Sequence, residues 1–194
     1  MTDDIRAKAP ETPAKDRPHR SLLYQGVEFL VMVAIAFGLA QVVRTYMIQP
    51  FVVPSGSMLP TIQLGDQVLT NKFIYLYEKP KPGDVVVLDD PTGTTPMLIK
   101  RVVAVGGQTI DIRDNAFWVN GKRMVEPYTH GLPTTLGTVT MPLTLPPDTV
   151  WVMGDNRTNS ADSRFIGPQP VSGVHGKAFV VYWPPSRMGA GFGT

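Results

Sequence analysis

Ser57 stands in Pro54-Ser55-Gly56-Ser57-Met58-Leu59-Pro60-Thr61, and a single lysine lies far downstream in Leu98-Ile99-Lys100-Arg101. Proline fixes φ and glycine admits conformations closed to other residues, so a short turn bounded by both displays a hydroxyl by backbone geometry alone. A displayed serine becomes a nucleophile when a base takes its proton. Histidine is one such base, and triads are recognised by geometry, not chain order. Yet His19, His130 and His175 sit in no recognisable triad motif, and each reads as a surface or packing residue.

Lysine is the other base that can activate serine, provided it is neutral when it acts. Bringing its pKa from about 10.4 to roughly 7–8 means destabilising the ammonium by about 4 kcal/mol, which burial can supply. Lys100 has apolar neighbours on both sides in the run from Met97 to Val105. On an inward-facing strand position its amine would be desolvated, and Arg101, on the opposite face by strand alternation, would be the solvated neighbour. The competing reading makes Lys100 and Arg101 edge charges that discourage sheet aggregation, and composition alone favours it. Asp155 and Asp162 lie in the polar stretch 154–164, dense in side chains that bond their own backbone, which alone suits a structural loop or a cation site. The chain has no cysteine, which excludes thiol catalysis, disulfides and thiolate metal sites.

These groups need elements to position them. The 194 residues accommodate one membrane anchor and one domain of roughly 140 residues. The net charge of +2, with no basic run interleaved with aromatics, argues against nucleic acid as a partner. Residues 1–21 are polar and proline-bearing and read as a flexible tail. Residues 22–47 are mostly apolar with a charge-free centre, and roughly 20 helical residues cross a bilayer core. Lys15, Arg17 and Arg20 precede this run, whereas only Arg44 follows it before Lys72, so the positive-inside rule puts the N-terminus in the cytoplasm and the remaining domain outside. The same stretch also suits a secretory signal peptide, cleaved after Gly38-Leu39-Ala40. Resumption of apolar character at Val42-Val43 and Met47-Ile48 favours a retained anchor.

Beyond the anchor, short β-branched or alternating runs separated by turn residues predict a mainly β domain over residues 48–183. Strands are expected at 67–75, 84–88, 97–105, 109–113, 116–119, 122–125, 149–153 and 175–183. Asn120-Gly121 marks a type I′ hairpin, which needs positive φ at both central positions. Residues 126–147 carry five prolines, so 106–147 reads as a small appended β subdomain or excursion. Residues 184–194 read as a disordered tail.

Four segments together resemble the bacterial type I signal peptidases, membrane-bound serine proteases that remove signal peptides from exported proteins. They are 54–61, Gly83-Asp84-Val85-Val86-Val87, Ile99-Lys100-Arg101, and Gly154-Asp155-Asn156-Arg157 continuing to Asn159-Ser160-Ala161-Asp162-Ser163-Arg164. Order and approximate spacing agree, and the likeness runs from residue 22 to about 182. Two positions depart from the family pattern: Thr158 stands where aspartate is common, and Val105-Gly106-Gly107-Gln108-Thr109 replaces a Gly-x-Pro-Gly-Asp turn. Both affect local loop geometry.

The resemblance implies an antiparallel β-sheet catalytic domain behind a single transmembrane helix, in the bacterial cytoplasmic (inner) membrane. It implies Ser57 as nucleophile and Lys100 as general base, overturning the edge-charge reading. Ser55 and the Ser57 N–H would form the oxyanion hole, Ser160 would hold the Lys100 amine, and Asp155, Asn156, Arg157, Asp162 and Arg164 would support the site. Substrates would be secretory preproteins with small residues at the first and third positions before the cut, held in shallow pockets near Val53, Pro54, Met58, Ile62, Leu98 and Ile99. No metal or organic cofactor is implied. A narrow maturation protease and a catalytically silent peptide-binding module are the alternatives.

Overall fold

The computed structural model describes residues 22–46 and 48–192. The expected flexible tail, 1–21, lies outside the described residues, as do Met47 and the last two residues. The chain divides into one unit of Met1–Ala40 and a second of Gln41–Thr194.

The described chain opens with α1 (Leu22–Tyr46). At about 1.5 Å per residue this helix is roughly 37 Å long, against a hydrocarbon core of about 30 Å. Its stretch Leu23–Gln41 has a mean hydropathy of 1.8, so it is long and apolar enough to cross a membrane.

In the second unit every strand pairing is antiparallel. The strands are β1 (Ile48–Val52), β2 (Gln67–Asn71), β3 (Val85–Asp89), β4 (Met97–Val105), β5 (Thr109–Arg113), β6 (Ala116–Val119), β7 (Lys122–Arg123), β8 (Leu143–Thr144), β9 (Thr149–Met153), β10 (Gln169–Pro170) and β11 (Val174–Trp183), with a one-turn helix, α2 (Ser163–Ile166), before β10. They form a seven-stranded sheet in the order β1-β2-β11-β3-β4-β9-β10 and a four-stranded sheet, β7-β6-β5-β8. The smaller sheet falls wholly within the appended segment 106–147. Asn120 and Gly121 take φ of 50° and 77° at its hairpin tip, with Val119 opposite Lys122.

Alternation explains how β3 and β4 are buried on both faces. Val85, Val87 and Ile99 face one core with Val53, Met58, Ile62 and Phe192. Val86, Leu88 and Val102 face a second with Val150 and Val152. A third, around Phe117, Leu145, Trp151 and Met153, joins the two sheets. Each fully buried large aliphatic side chain contributes roughly 1.5–3 kcal/mol.

Four expectations need correction, the first being the strand expected over 122–125, which ends at Arg123. The strand expected over 67–75 stops at Asn71, whose Oδ1 accepts from the N–H groups of Phe73 and Ile74 at 2.9 and 3.2 Å and turns the chain into a 3-10 helix, Phe73–Leu76. Ile48–Val52, adjoining the apolar anchor run, is an edge strand paired with β2. The tail expected to be disordered is folded through residue 192: the Arg187 guanidinium pairs with buried Asp66 at 3.0 Å, the Val181 N–H donates to Ala190 O, and Phe192 sits in the first core at 9% exposure.

Candidate active site

Ser57 is carried on a single 3-10 turn, Gly56–Met58, that follows β1. The polar loop after β9 holds this turn from behind: the Asn156 N–H donates to Ser57 O at 3.0 Å and Asn156 Nδ2 to Gly56 O at 3.1 Å. The approach requires glycine at position 154, because a Cβ there would collide with the Ser57 carbonyl oxygen and the Ser160 hydroxyl.

Lys100 lies mid-strand in β4, opposite Val86, and is 2% exposed. Its Nζ donates to Ser57 Oγ at 2.8 Å and to Ile99 O at 3.1 Å. Burial holds the amine down to about 8 from an ordinary value of 10.5, against the opposing pull of the Asp162 and Asp90 carboxylates. An amine so poised is neutral in useful amounts near neutral pH and can take the serine proton.

The hydroxyl of Ser55 donates to Ser57 Oγ at 3.3 Å from an exposed position. The hydrogen bond expected from Ser160 to the Lys100 amine is not formed: Ser160 Oγ is buried without a hydrogen-bond partner, and Lys100 turns to the Ile99 carbonyl.

Three buried arginines brace the segments around Ser57 and Lys100. Arg101 is buried, contrary to the solvated role expected for it, because the loop after β9 and the residues near 192 cover its side of the strand. Its Nε and Nη2 reach the two oxygens of Asp155, each at 2.8 Å, Nη1 donates to Phe192 O at 3.0 Å, and the guanidinium lies 4.1 Å from the centre of the Tyr128 ring. Asp155 also accepts from Thr61 Oγ1 at 2.6 Å, tying the network to the serine turn. Arg157 forks onto Glu126 at 2.7 and 2.6 Å and donates to Gly154 O at 3.0 Å. Asp162 takes Arg164 Nε and Nη2 at 2.8 and 2.9 Å, caps α2 through the Arg164 N–H and accepts from the Gly154 N–H at 3.1 Å. Forked pairs of this kind fix planar groups in one orientation.

Ser57 and Lys100 open onto a cleft of about 590 Å³ lined also by Ser55, Gly56 and Leu98, by Asn159, Ala161, Phe165 and Ile166, and by Asp90, Thr92, Thr94 and Thr95 of the loop between β3 and β4. Of the side chains expected to form substrate pockets, Leu98 is the one that lines it. Val53, Met58, Ile62 and Ile99 are at most 2% exposed within the core, and Pro54 is exposed away from the cleft lining. Sequence reasoning passed over Phe165 and Ile166 and the stretch from Asp90 to Thr95, although an aspartate followed by threonines at 92 and 95 is a signal for side-chain-capped turns. Of the histidines, His19 is outside the described residues, His130 is exposed, and His175 pairs with Asp89 at 2.6 Å.

The model of the family described as signal peptidase, peptidase S26, matches residues 26–183. The chain is 34% identical to the probable signal peptidase I of Mycobacterium leprae (strain TN) over 254 aligned positions, covering 96% of this chain and 87% of that protein. It is 36% identical to signal peptidase I of Mycobacterium tuberculosis (strain CDC 1551 / Oshkosh), covering 94% and 80% respectively. A crystal structure of a signal peptidase I from Enterococcus faecalis V583 shares 27% identity, covers 52% of this chain and 97% of that one, and superposes with a TM-score of 0.46. The chain therefore belongs to the signal peptidase family, peptidase S26, as a hydrolase of the type I class.

Proposed function

We propose that this chain is a membrane-anchored serine endopeptidase that removes N-terminal signal peptides from exported preproteins by a Ser57/Lys100 dyad. Membership of the family supports signal-peptide cleavage as the reaction. The observation that carries the dyad is the 2.8 Å bond from a buried lysine amine to Ser57 Oγ. Neutral Lys100 takes the Ser57 proton as the oxygen attacks the scissile carbonyl, and the ammonium then protonates the leaving amine. A water activated by Lys100 hydrolyses the acyl-enzyme ester. The Ser55 hydroxyl and the Ser57 N–H stabilise the oxyanion. Asp155, Asn156, Arg157, Asp162 and Arg164 hold the serine turn and the lysine strand in register, and Ser160 offers the amine a second acceptor once Ser57 is acylated.

Residues 22–47 anchor the enzyme in the bacterial cytoplasmic membrane, with the N-terminus inside and the catalytic domain on the outer side. Substrates carry small residues at the first and third positions before the cut, and the cycle uses no metal or cofactor. The test is incubation of the detergent-solubilised protein with a preprotein whose signal peptide ends in Ala-x-Ala, with the cut located by mass. Wild type cleaves after the second alanine, and Ser57→Ala and Lys100→Ala do not. Activity in either variant removes the dyad from the mechanism, whereas an inert wild type that no serine-directed acylating inhibitor labels is a silent module.

A further inference from the structure

The lining of the cleft is mixed in chemistry. Phe165 and Ile166 contribute apolar side chains, while the loop between β3 and β4 contributes hydroxyls and one acid, Asp90, the single carboxylate among the described residues that line the cleft. None of the four motif segments quoted from the sequence includes this loop.

The loop is built around that acid. Asp90 Oδ1 accepts from the Thr92 N–H at 2.9 Å and its hydroxyl at 2.7 Å, and Oδ2 accepts from the Thr95 N–H at 2.9 Å and its hydroxyl at 3.1 Å. Three consequences follow. The carboxylate is fixed in place. Its donors are all neutral, so its charge is not cancelled, and it has no basic ion-pair partner among the described residues. Four donor groups crowd its oxygens, two of them hydroxyls shared with Thr94 Oγ1 and Met97 O, so its action on a bound chain is through its field more than through a new close ion pair. The Thr92 hydroxyl, then the Thr95 and Thr92 N–H groups and the Thr95 hydroxyl, hold its carboxyl down to about 2, so the charge persists wherever Lys100 can act as a base. With Lys100 neutral, the cleft lining carries one uncompensated negative charge in its reactive state.

We propose that Asp90 is a specificity-determining residue that favours substrates carrying lysine or arginine near the scissile bond and disfavours aspartate or glutamate there. This rests on the reading that the cleft receives the preprotein. The reach of the field is about one screening length, roughly 8 Å or two to three residues of extended chain on either side of the cut. A field effect has its own signature: lysine and arginine are equivalent, and salt weakens the preference. A direct forked contact would instead favour arginine.

The experiment uses a preprotein segment ending in Ala-x-Ala, with Lys, Arg, Gln or Glu placed singly at each non-alanine position within three residues of the cut. It reads the ratio of kcat/KM for Lys over Glu, so that any general loss of rate in a variant cancels. In wild type the ratio reaches roughly 3- to 10-fold at one or more positions, is the same for Arg, and falls towards one in molar salt. Asp90→Asn brings it to near one, Asp90→Lys inverts it, and Asp90→Glu restores it. A ratio near one in wild type at low salt, or one unmoved by salt and by all three variants, overturns the proposal. Should the variants fail to fold, the salt dependence of wild type still decides. Failure to cut the Gln series would instead refute the proposed function.

Discussion

Arg101 and Asp155 meet as a forked ion pair with neither side chain exposed to solvent, at 2.8 Å for each of its two bonds. Arg101 follows Lys100 directly in β4, and Asp155 directly precedes the residue whose amide holds Ser57 O. The pair therefore links the strand that carries Lys100 to the loop that holds the Ser57 turn. Removing one partner leaves a charge stranded in the core, which typically costs about 3–5 kcal/mol. Arg101→Met and Asp155→Leu should each lower stability by that order and reduce kcat more than KM. The double variant should recover more than half of the stability and little of the rate. Denaturant unfolding beside steady-state kinetics checks this, and additive losses in the double variant would exclude a coupled pair.

How legible this was depends on the range of each interaction. Thr109–Arg113 and Ala116–Val119 could be bounded from sequence because alternation and turn residues are local signals. Ser57 and Lys100 could be named from their motifs. The burial of Arg101 could not, since its partners Asp155 and Phe192 lie 54 and 91 positions away and strand alternation says nothing of what covers each face. Likewise β1 adjoins the apolar run of the anchor, and its identity comes from pairing with Gln67–Asn71. The Ser160 expectation failed locally: the Ile99 carbonyl is nearer to hand for the same amine.

With the proposed dyad, the buried amine sets the acidic limb of the pH profile. Because the base must be neutral and its pKa is held down to about 8, kcat/KM should rise about tenfold per pH unit below that value and level off above it. The same limb should appear with substrates of different leaving groups. A limb near 10 would show that the amine is solvated in the working enzyme.

Function and stability pull in opposite directions at this lysine. The unfolded chain keeps its lysine proton to about pH 10.5 and the folded chain releases it near 8, so the unfolded state binds more protons between those values and stability rises with pH through that window. Below pH 8 the folded protein carries the full penalty of a buried ammonium, about 3 kcal/mol. Lys100→Met should abolish cleavage yet stabilise the protein by that order at pH 7, with the gain fading as pH approaches 10. Thermal unfolding of both proteins across pH 6–10 measures it, and a constant difference would refute the linkage.

The segment after β11 separates stability from catalysis at neighbouring residues. Arg187 reaches both oxygens of Asp66 at 3.0 Å and the Thr61 carbonyl at 3.1 Å, so it braces the far end of the Ser57 motif. Asp66 is 1% exposed, and Arg187→Ala would leave its carboxylate buried without its cation, for a loss of about 3 kcal/mol. Phe192 contributes in two independent ways: its ring fills the core beside Met58 and Ile62, and its backbone carbonyl accepts from Arg101. Phe192→Ala removes the ring and keeps the carbonyl. It should cost about 3 kcal/mol through the cavity, with kcat at permissive temperature within about twofold of wild type. Urea midpoints and initial rates on the same preparations separate the two contributions, and a large fall in kcat at full folding would mean that the ring itself positions the dyad.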